Sequence, residues 1–129
     1  MQFYTPTPEI ATYIEDANDL VFDTKIEIDT NLTHIVEQNI ARFPSVLQGN
    51  SKMAENILLG SIQELKEKVK RNYKIAIPHW YEGKIQLLLP LVLTNEENLA
   101  ELAFVIDKDK QRNIYRGKTI LTMDMAYID

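Results

Sequence analysis

Several side chains of the sequence have the types and positions to bind an anionic or hydrogen-bonding ligand. An arginine guanidinium matches a phosphate or carboxylate with two parallel hydrogen bonds. A glutamine amide offers donors and an acceptor of the kind that reads the edge of a nucleobase. The titratable residues are scattered and do not form a catalytic constellation, so we assign no catalytic residue and leave an enzymatic role as an alternative. The candidate binding residues are Gln86, Thr122, Asp124, Arg42, Lys74, Arg116 and His34.

Thr122, Asp124 and Gln86 lie within predicted strands. In a strand over Lys118 to Ile128, Thr122 and Asp124 share one face with apolar neighbours. Burying a carboxylate there costs several kcal/mol unless it is paired, so Asp124 needs a partner in the protein or in a ligand. The simpler alternatives are an internal ion pair or a wet terminal position for Asp124, and a hydrogen bond within the core for Gln86.

The cationic candidates are scattered along the chain. Arg42 and Arg116 each stand beside an aromatic residue, and Lys74 follows Tyr73 at the end of the basic stretch 66–71. These cations could hold phosphate, with Tyr73 available for stacking. A solvated helix end is the simpler interpretation of the basic stretch, because glutamates interrupt it.

Other classes of chemistry lack support in the sequence. His34 and His79 are the only histidines and there is no cysteine, so no zinc-ligand spacing exists and no metal or cofactor is predicted. We expect His34 to lie on a helix facing the sheet, where a structural hydrogen bond is the commoner role. The formal net charge of −5 argues against a binder of long duplex nucleic acid.

The apolar pattern predicts the elements that must position these residues. Leu20 to Asp29 alternates as a strand, and helical spacing follows from Leu32 until Phe43-Pro44. Residues 45–50 resemble a loop. A long amphipathic helix spans Ser51 to Arg71, where Gly60 permits close packing or a mild kink. Four strands separated by short gaps follow: Tyr73 to Ile77, Lys84 to Thr94, Leu99 to Asp107 and Lys118 to Ile128.

This order predicts an α+β fold, with an antiparallel sheet of about five strands and two helices packed on one face, in the order β-α-α-β-β-β-β. We expect one domain over residues 1–129, with 1–15 as an extended N-terminal arm. The start of the chain has no signal-peptide pattern, and its longest apolar run is too short to span a membrane. With no cysteine to suggest an oxidising compartment, the cytoplasm is the expected location.

Two parts of the sequence resemble an uncharacterised bacterial domain family: residues 19–44, and residues 72–91 with the motif at 119–127. Members of that family occur with OST-HTH (LOTUS) or cold-shock modules, and this context implies a role related to RNA or nucleotides. The family domain extends further at both ends, so any function that needs those regions is in doubt. The family-typical positions are His34, Arg42, Asn72, Lys74, Gln86, Thr119, Thr122 and Asp124.

The leading functional hypothesis is a non-catalytic binding domain for a nucleotide or short RNA-like ligand, with a regulatory or sequestering role. Gln86 or Asp124 would read a base or a ribose hydroxyl, and Arg42, Lys74 or Arg116 would hold phosphate. One alternative is a homo-oligomeric interaction module, suggested by the arm Met1 to Thr12 and the edge of the last strand. The other is a small hydrolase acting on a phosphorylated substrate, with Asp124 and His34 as acid and base.

Overall fold

A computed structural model of the protein describes residues 22–23, 25–94 and 99–126, with the Tyr73 side chain excepted. The strands are β1 (Ile28–Asp29), β2 (Ile77–Tyr81), β3 (Lys84–Leu91), β4 (Leu102–Asp109) and β5 (Ile114–Thr122). The α-helices are α1 (Leu32–Asn39), α2 (Ser45–Gln48), α3 (Ser51–Arg71) and α4 (Met123–Ala126), and 3₁₀ turns cover Ile40–Arg42 and Tyr73–Ile75.

The long helices begin where local capping predicts. The Asn31 side chain accepts a hydrogen bond from the His34 backbone N–H at 3.1 Å, and Asn50 does the same for Met53 at 3.0 Å. Helix α3 has the predicted bounds and buries one apolar stripe. Three cationic side chains lie in its last turn, where they interact favourably with the helix dipole. The buried apolar stripe consists of Ala54, Leu58, Ile62, Leu65 and Val69.

The sheet is mixed, so the prediction of an antiparallel sheet is wrong at one edge. Its strand order is β1-β5-β4-β3-β2, and β1 runs parallel to β5 while the other neighbours are antiparallel. A hairpin would have forced β1 to run antiparallel to its neighbour. Here the helices carry the chain from β1 to the opposite edge of the sheet, so no turn constrains the direction of β1.

Strand β1 is held beside β5 by contacts between distant parts of the chain. Ile28 pairs with Tyr115, whose backbone N–H donates to the Glu27 carbonyl at 2.9 Å. The Tyr115 hydroxyl accepts from the Asp23 N–H at 2.7 Å, and its ring stacks on Phe22 with centroids 4.8 Å apart. The described part of the predicted strand over 20–29 is therefore mostly irregular chain anchored to Tyr115.

Strand β2 lies later in the sequence than predicted. Residues 73–75 form a 3₁₀ turn instead of a strand, and the strand that follows contains Pro78. Proline is tolerated there because β2 is the last strand of the described sheet. Glu82 and Gly83 both have positive φ, 47° and 83°, which suits the tight turn joining β2 to β3.

The C-terminal prediction also needs correction. Strand β5 ends at Thr122, and the Thr122 hydroxyl accepts a hydrogen bond from the Met125 N–H at 3.2 Å, capping the helical turn α4. Asp124 is therefore exposed on a helical turn, and not on a strand face. Helix α2 replaces the predicted loop 45–50, so the predicted order β-α-α-β-β-β-β lacks two short helices.

The helices cover one face of the sheet. Helix α1 packs against β5 and α3 packs against β3, and the apolar side chains between them form the main core. His34 is exposed on α1, so the prediction that it faces the sheet is wrong. In the described ranges, no helix combines the length and apolar character needed to cross a membrane. The largest fully buried side chains include Phe104, Leu47, Leu58, Leu89, Leu91, Leu102, Ile106 and Ile120.

Gly60 packs against no residue that the structure describes, so close packing, the first of its two predicted roles, is wrong. It is exposed in the middle of α3, and a Cβ built there would meet no atom within 4 Å beyond its own helical backbone. We expect Gly60→Ala to raise the free energy of unfolding by about 1 kcal/mol, because alanine is the better helix former. Urea denaturation measures the change, and a lower stability for the variant would contradict this account of α3.

Candidate functional site

A groove of about 1050 Å³ lies on the sheet face opposite the helices, and we call it the strand-face groove. Strands β2 to β5 supply its walls and floor, and Met125 of α4 reaches it from the side. Its apolar lining includes Leu88, Val105, Leu121 and Met125, and its polar lining includes His79, Tyr81, Glu82, Lys84, Gln86, Asp107 and Lys118.

Strand register concentrates the polar side chains at one end of this groove. His79 pairs with Gln86 across β2 and β3, and Asp107 pairs with Arg116 across β4 and β5. The register of β3 with β4 sets these two pairs side by side. Since residues directly opposite each other share a face, the four form one row across the sheet.

Gln86 is buried at the centre of that row with its hydrogen-bonding capacity unused. Only 8% of the residue is exposed. Its amide makes no hydrogen bond to any residue that the structure describes, so the simpler alternative of a core hydrogen bond is not supported. Because buried polar groups normally have partners, an amide left unpaired in a groove is suited to a ligand.

Asp107 is the second buried polar group of the groove, with 7% exposed. The Lys84 Nζ lies 2.8 Å from Asp107 Oδ2, and the Lys118 Nζ lies 3.9 Å from the same oxygen. Oδ2 is enclosed and has no hydrogen-bond donor in the described structure, so the close Lys84 contact is an ion pair without hydrogen-bond alignment. The carboxylate is compensated in charge but not fully hydrogen-bonded.

A β-bulge brings Lys118 into this cluster. Val105 pairs with Thr119, whereas the next residue, Ile106, pairs with Gly117, so Lys118 is the extra residue of β5. Bulges of this kind redirect a side chain. Thr119, one residue on, donates a hydrogen bond to Asn39 Oδ1 at 3.2 Å and so ties the bulged strand to α1.

Two rings on β2 form the rim of the groove. His79 and Tyr81 have ring centroids 6.4 Å apart and planes within 20° of each other. A hydrogen bond to the Glu82 carboxylate, together with the negative charge of that group, raises the pKa of the Tyr81 phenol above its usual value. The rim therefore presents two nearly parallel planar surfaces.

Three of the predicted residues meet at a different place, a pocket of about 480 Å³ beside the end of β5. Arg42, Thr122 and Asp124 all line it. The Arg42 Nη1 donates to the Ile120 carbonyl at 2.6 Å, and the Thr122 hydroxyl caps α4, so both side chains have structural roles. This pocket contains none of the buried, unpaired groups of the strand-face groove.

The remaining predicted residues are dispersed. Lys74 is exposed beside Asn72, whose side chain accepts its backbone N–H at 3.1 Å. The Arg116 Nε and Nη2 donate to Asp109 Oδ2 at 3.2 and 3.1 Å. The pKa of Asp109 is lowered chiefly by the Arg112 backbone N–H and further by Arg116. His34 lies in the first turn of α1, outside the strand-face groove.

Sequence reasoning missed most of the groove. Asp107, Lys84, Lys118 and His79 were not among the predicted binding residues, and only Gln86 was. Asp107 directly follows the apolar run Leu102 to Ile106. The one available signal was therefore a carboxylate next to a buried strand, which could have marked Asp107 as a candidate site residue. The prediction instead ended the strand at Asp107, whereas β4 continues to Asp109.

Known proteins provide limited comparison. Across the described residues, His, Asp and Glu side chains form no group of three or more that could hold a metal. No curated protein and no solved structure matches the chain. The model of one uncharacterised family does match, over residues 1–129, which confirms the resemblance to such a family. The chain therefore belongs to the family described as Domain of unknown function (DUF3825).

Proposed function

We propose that this chain is a non-catalytic binding domain for a nucleotide, taken free or as one unit of a short RNA-like strand, in the strand-face groove. The observation that carries the proposal is the pair Gln86 and Asp107. Both are more than nine-tenths buried, both line one groove, and neither has its hydrogen-bonding capacity satisfied by a described residue. A ligand that donates to Asp107 removes the cost of leaving its enclosed oxygen without a donor, and the Gln86 amide, which is not enclosed, is open to the same ligand.

The groove has a suitable shape for a nucleobase. Its volume of about 1050 Å³ is just above the range of common ligand sites, about 300 to 1,000 Å³, and it accommodates a base with its sugar and phosphate. Leu88 and Val105 supply an apolar floor, and the His79 and Tyr81 rings supply planar surfaces at the rim. Stacking on such surfaces contributes about 1 to 3 kcal/mol per base.

Lys84 and Lys118 are suited to the phosphate, which the sequence assigned to Arg42, Lys74 or Arg116. Their side chains are 54% and 43% exposed, so one of them can turn from Asp107 towards a ligand while the other stays beside the carboxylate. The acidic Asp107 and Glu82 balance these two lysines among the groove residues. A balanced groove in a chain of net charge −5 favours one nucleotide over a long polyanion.

Calorimetry with ribonucleoside monophosphates and a four-nucleotide RNA tests the proposal. We expect wild-type binding, and about tenfold weaker affinity for Gln86→Leu, because that variant keeps the side-chain bulk but loses the amide. Gln63→Leu, on the exposed side of α3, is the matched control and should bind like the wild type. Absence of heat with every ligand, or equal affinity for the two leucine variants, would refute the proposal.

The cellular setting is part of the same proposal. A small domain that sequesters a nucleotide is consistent with the OST-HTH or cold-shock modules that accompany the family the sequence resembles. A chain without cysteine fits the cytoplasm.

The assembly alternative retains one observation in its favour. Strand β2 is at the edge of the described sheet and bears Ile77 and Tyr81, which are 41% and 49% exposed, so a second copy could add a strand there. The arm cited for this alternative lies outside the described residues. The hydrolase alternative gains no support, because Asp124 lines the pocket beside the end of β5 and His34 lines neither that pocket nor the strand-face groove. A native mass spectrum reports subunit number and any retained nucleotide together.

A further inference from the structure

We infer that the strand-face groove selects guanine among the nucleobases, an inference that rests on the proposed nucleotide site. The argument starts from Asp107. A carboxylate only accepts hydrogen bonds, and its two oxygens can take two donors that lie side by side. Asp107 lines the groove. Its Oδ2 atom is enclosed and accepts no hydrogen bond from a described residue.

The pairing edge of guanine is the one base edge with two adjacent donors. Its ring N1–H and exocyclic N2–H point the same way, with the O6 acceptor beside them. Adenine and cytosine each place a ring acceptor next to one amino donor, and uracil places its single N–H between two carbonyls. Against a carboxylate, each of these three edges sets an acceptor opposite an acceptor, and that repulsion discriminates against them.

Gln86 supplies the complementary donor. It is the neighbour of Asp107 in the polar row, and its amide N–H₂ has no partner among the described residues. While the carboxylate takes N1–H and N2–H, the amide can donate to O6. The Asp107 carboxylate therefore faces the two donors of guanine, and the neighbouring Gln86 amide faces its acceptor. Proteins that recognise a single base form hydrogen bonds with this edge of the base.

The lysines allow this exchange of partners. In the ligand-free structure Lys84 lies against Asp107 Oδ2, yet more than half of its side chain is exposed. As the base approaches, the ammonium moves to the ligand phosphate and the guanine N–H groups replace it at the carboxylate. The charge of Asp107 stays compensated, because Lys118 lies on the same oxygen at 3.9 Å and remains in place.

Binding of GMP, IMP, XMP and AMP to the full chain tests the inference by calorimetry. IMP lacks the N2 amino group, and XMP has a carbonyl oxygen in its place. The wild type should bind GMP about tenfold more tightly than IMP and at least tenfold more tightly than AMP or XMP, as good base contacts discriminate. Asp107→Asn should reverse the order of GMP and XMP, because the asparagine amide donates to the new carbonyl.

Asp109→Asn is the matched control. Asp109 lies two residues along the same strand face and is paired with Arg116, so its variant should keep the wild-type preference. Equal binding of all four nucleotides by the wild type would overturn the guanine inference and leave the proposed function standing. Failure of all four to bind would overturn the guanine inference, and the pyrimidine nucleotides and the four-nucleotide RNA of the first titration would then decide the proposed function. The order of the four wild-type affinities is enough to test the guanine inference, so the test does not depend on the Asp107→Asn variant folding well.

Discussion

Gly117→Ala should lower the free energy of unfolding by about 3 kcal/mol, the upper part of the range for overpacked cores. A Cβ at Gly117 would overlap the Thr30 hydroxyl and lie 2.7 Å from Cζ of the Phe104 ring. Phe104 has no exposed surface, so its ring cannot move aside without disturbing the core. The Thr30 hydroxyl is also buried and has no hydrogen-bond partner among the described residues.

A double-mutant cycle identifies the cause of that loss. Phe104→Leu removes the ring atoms that the new methyl group would meet, so Gly117→Ala should cost at least about 1 kcal/mol less in that background. Gly49→Ala is the control, because nothing lies within 4 Å of the corresponding Cβ. Urea denaturation of the four proteins of the cycle measures the coupling. Additive losses would show that the Phe104 ring does not limit the space at Gly117.

The paired substitution Lys84→Met with Lys118→Met is expected to destabilise the fold by about 3 kcal/mol. It leaves the Asp107 carboxylate buried without either counter-charge, and removing the partners of a buried charge typically costs about 3 to 5 kcal/mol. The lower figure applies because both lysines are about half exposed, which weakens the pairs. Thermal and urea unfolding both measure the loss.

Adding Asp107→Asn to the methionine pair should restore most of that stability, since a neutral amide needs no counter-ion. Lys52→Met, on the exposed first turn of α3, controls for the general effect of replacing a lysine and should change stability by less than about 0.5 kcal/mol. If the double methionine variant is as stable as Lys52→Met, Asp107 is hydrated in the groove and needs neither lysine.

The two longer helices, α1 and α3, were predictable because their signals are local. Helix α3 combines an Asn50 cap, a continuous apolar stripe and a basic last turn, all within one stretch of sequence. The C-terminal strand shows the limit of the same reasoning. Residues 121–125 alternate apolar and polar side chains like a strand, yet the Thr122 cap and the bend into α4 end the strand. A single side-chain hydrogen bond there outweighs the alternation.

The groove was not predictable for a different reason. Gln86 and Asp107 become neighbours only through the register of β3 with β4, and Lys118 joins them only through the bulge opposite Val105 and Ile106. Register between separate strands is set by the whole core, and a one-residue slip would send each of these side chains to the other face. No local pattern encodes that outcome, which explains why Gln86 alone was identified.

The parallel pairing of β1 with β5 has a consequence for the order of folding. Ile28 and Tyr115 are about 87 residues apart in sequence, and closing a flexible loop of that length costs about 4 kcal/mol of chain entropy. A strand of two residues cannot offset that cost in an unfolded chain. The pairing becomes favourable only after the helices and the other strands have shortened the path between its partners. We therefore expect strand β1 to dock last and to detach first, so the Tyr115 amide should exchange faster than the amides between the central strands β3 and β4.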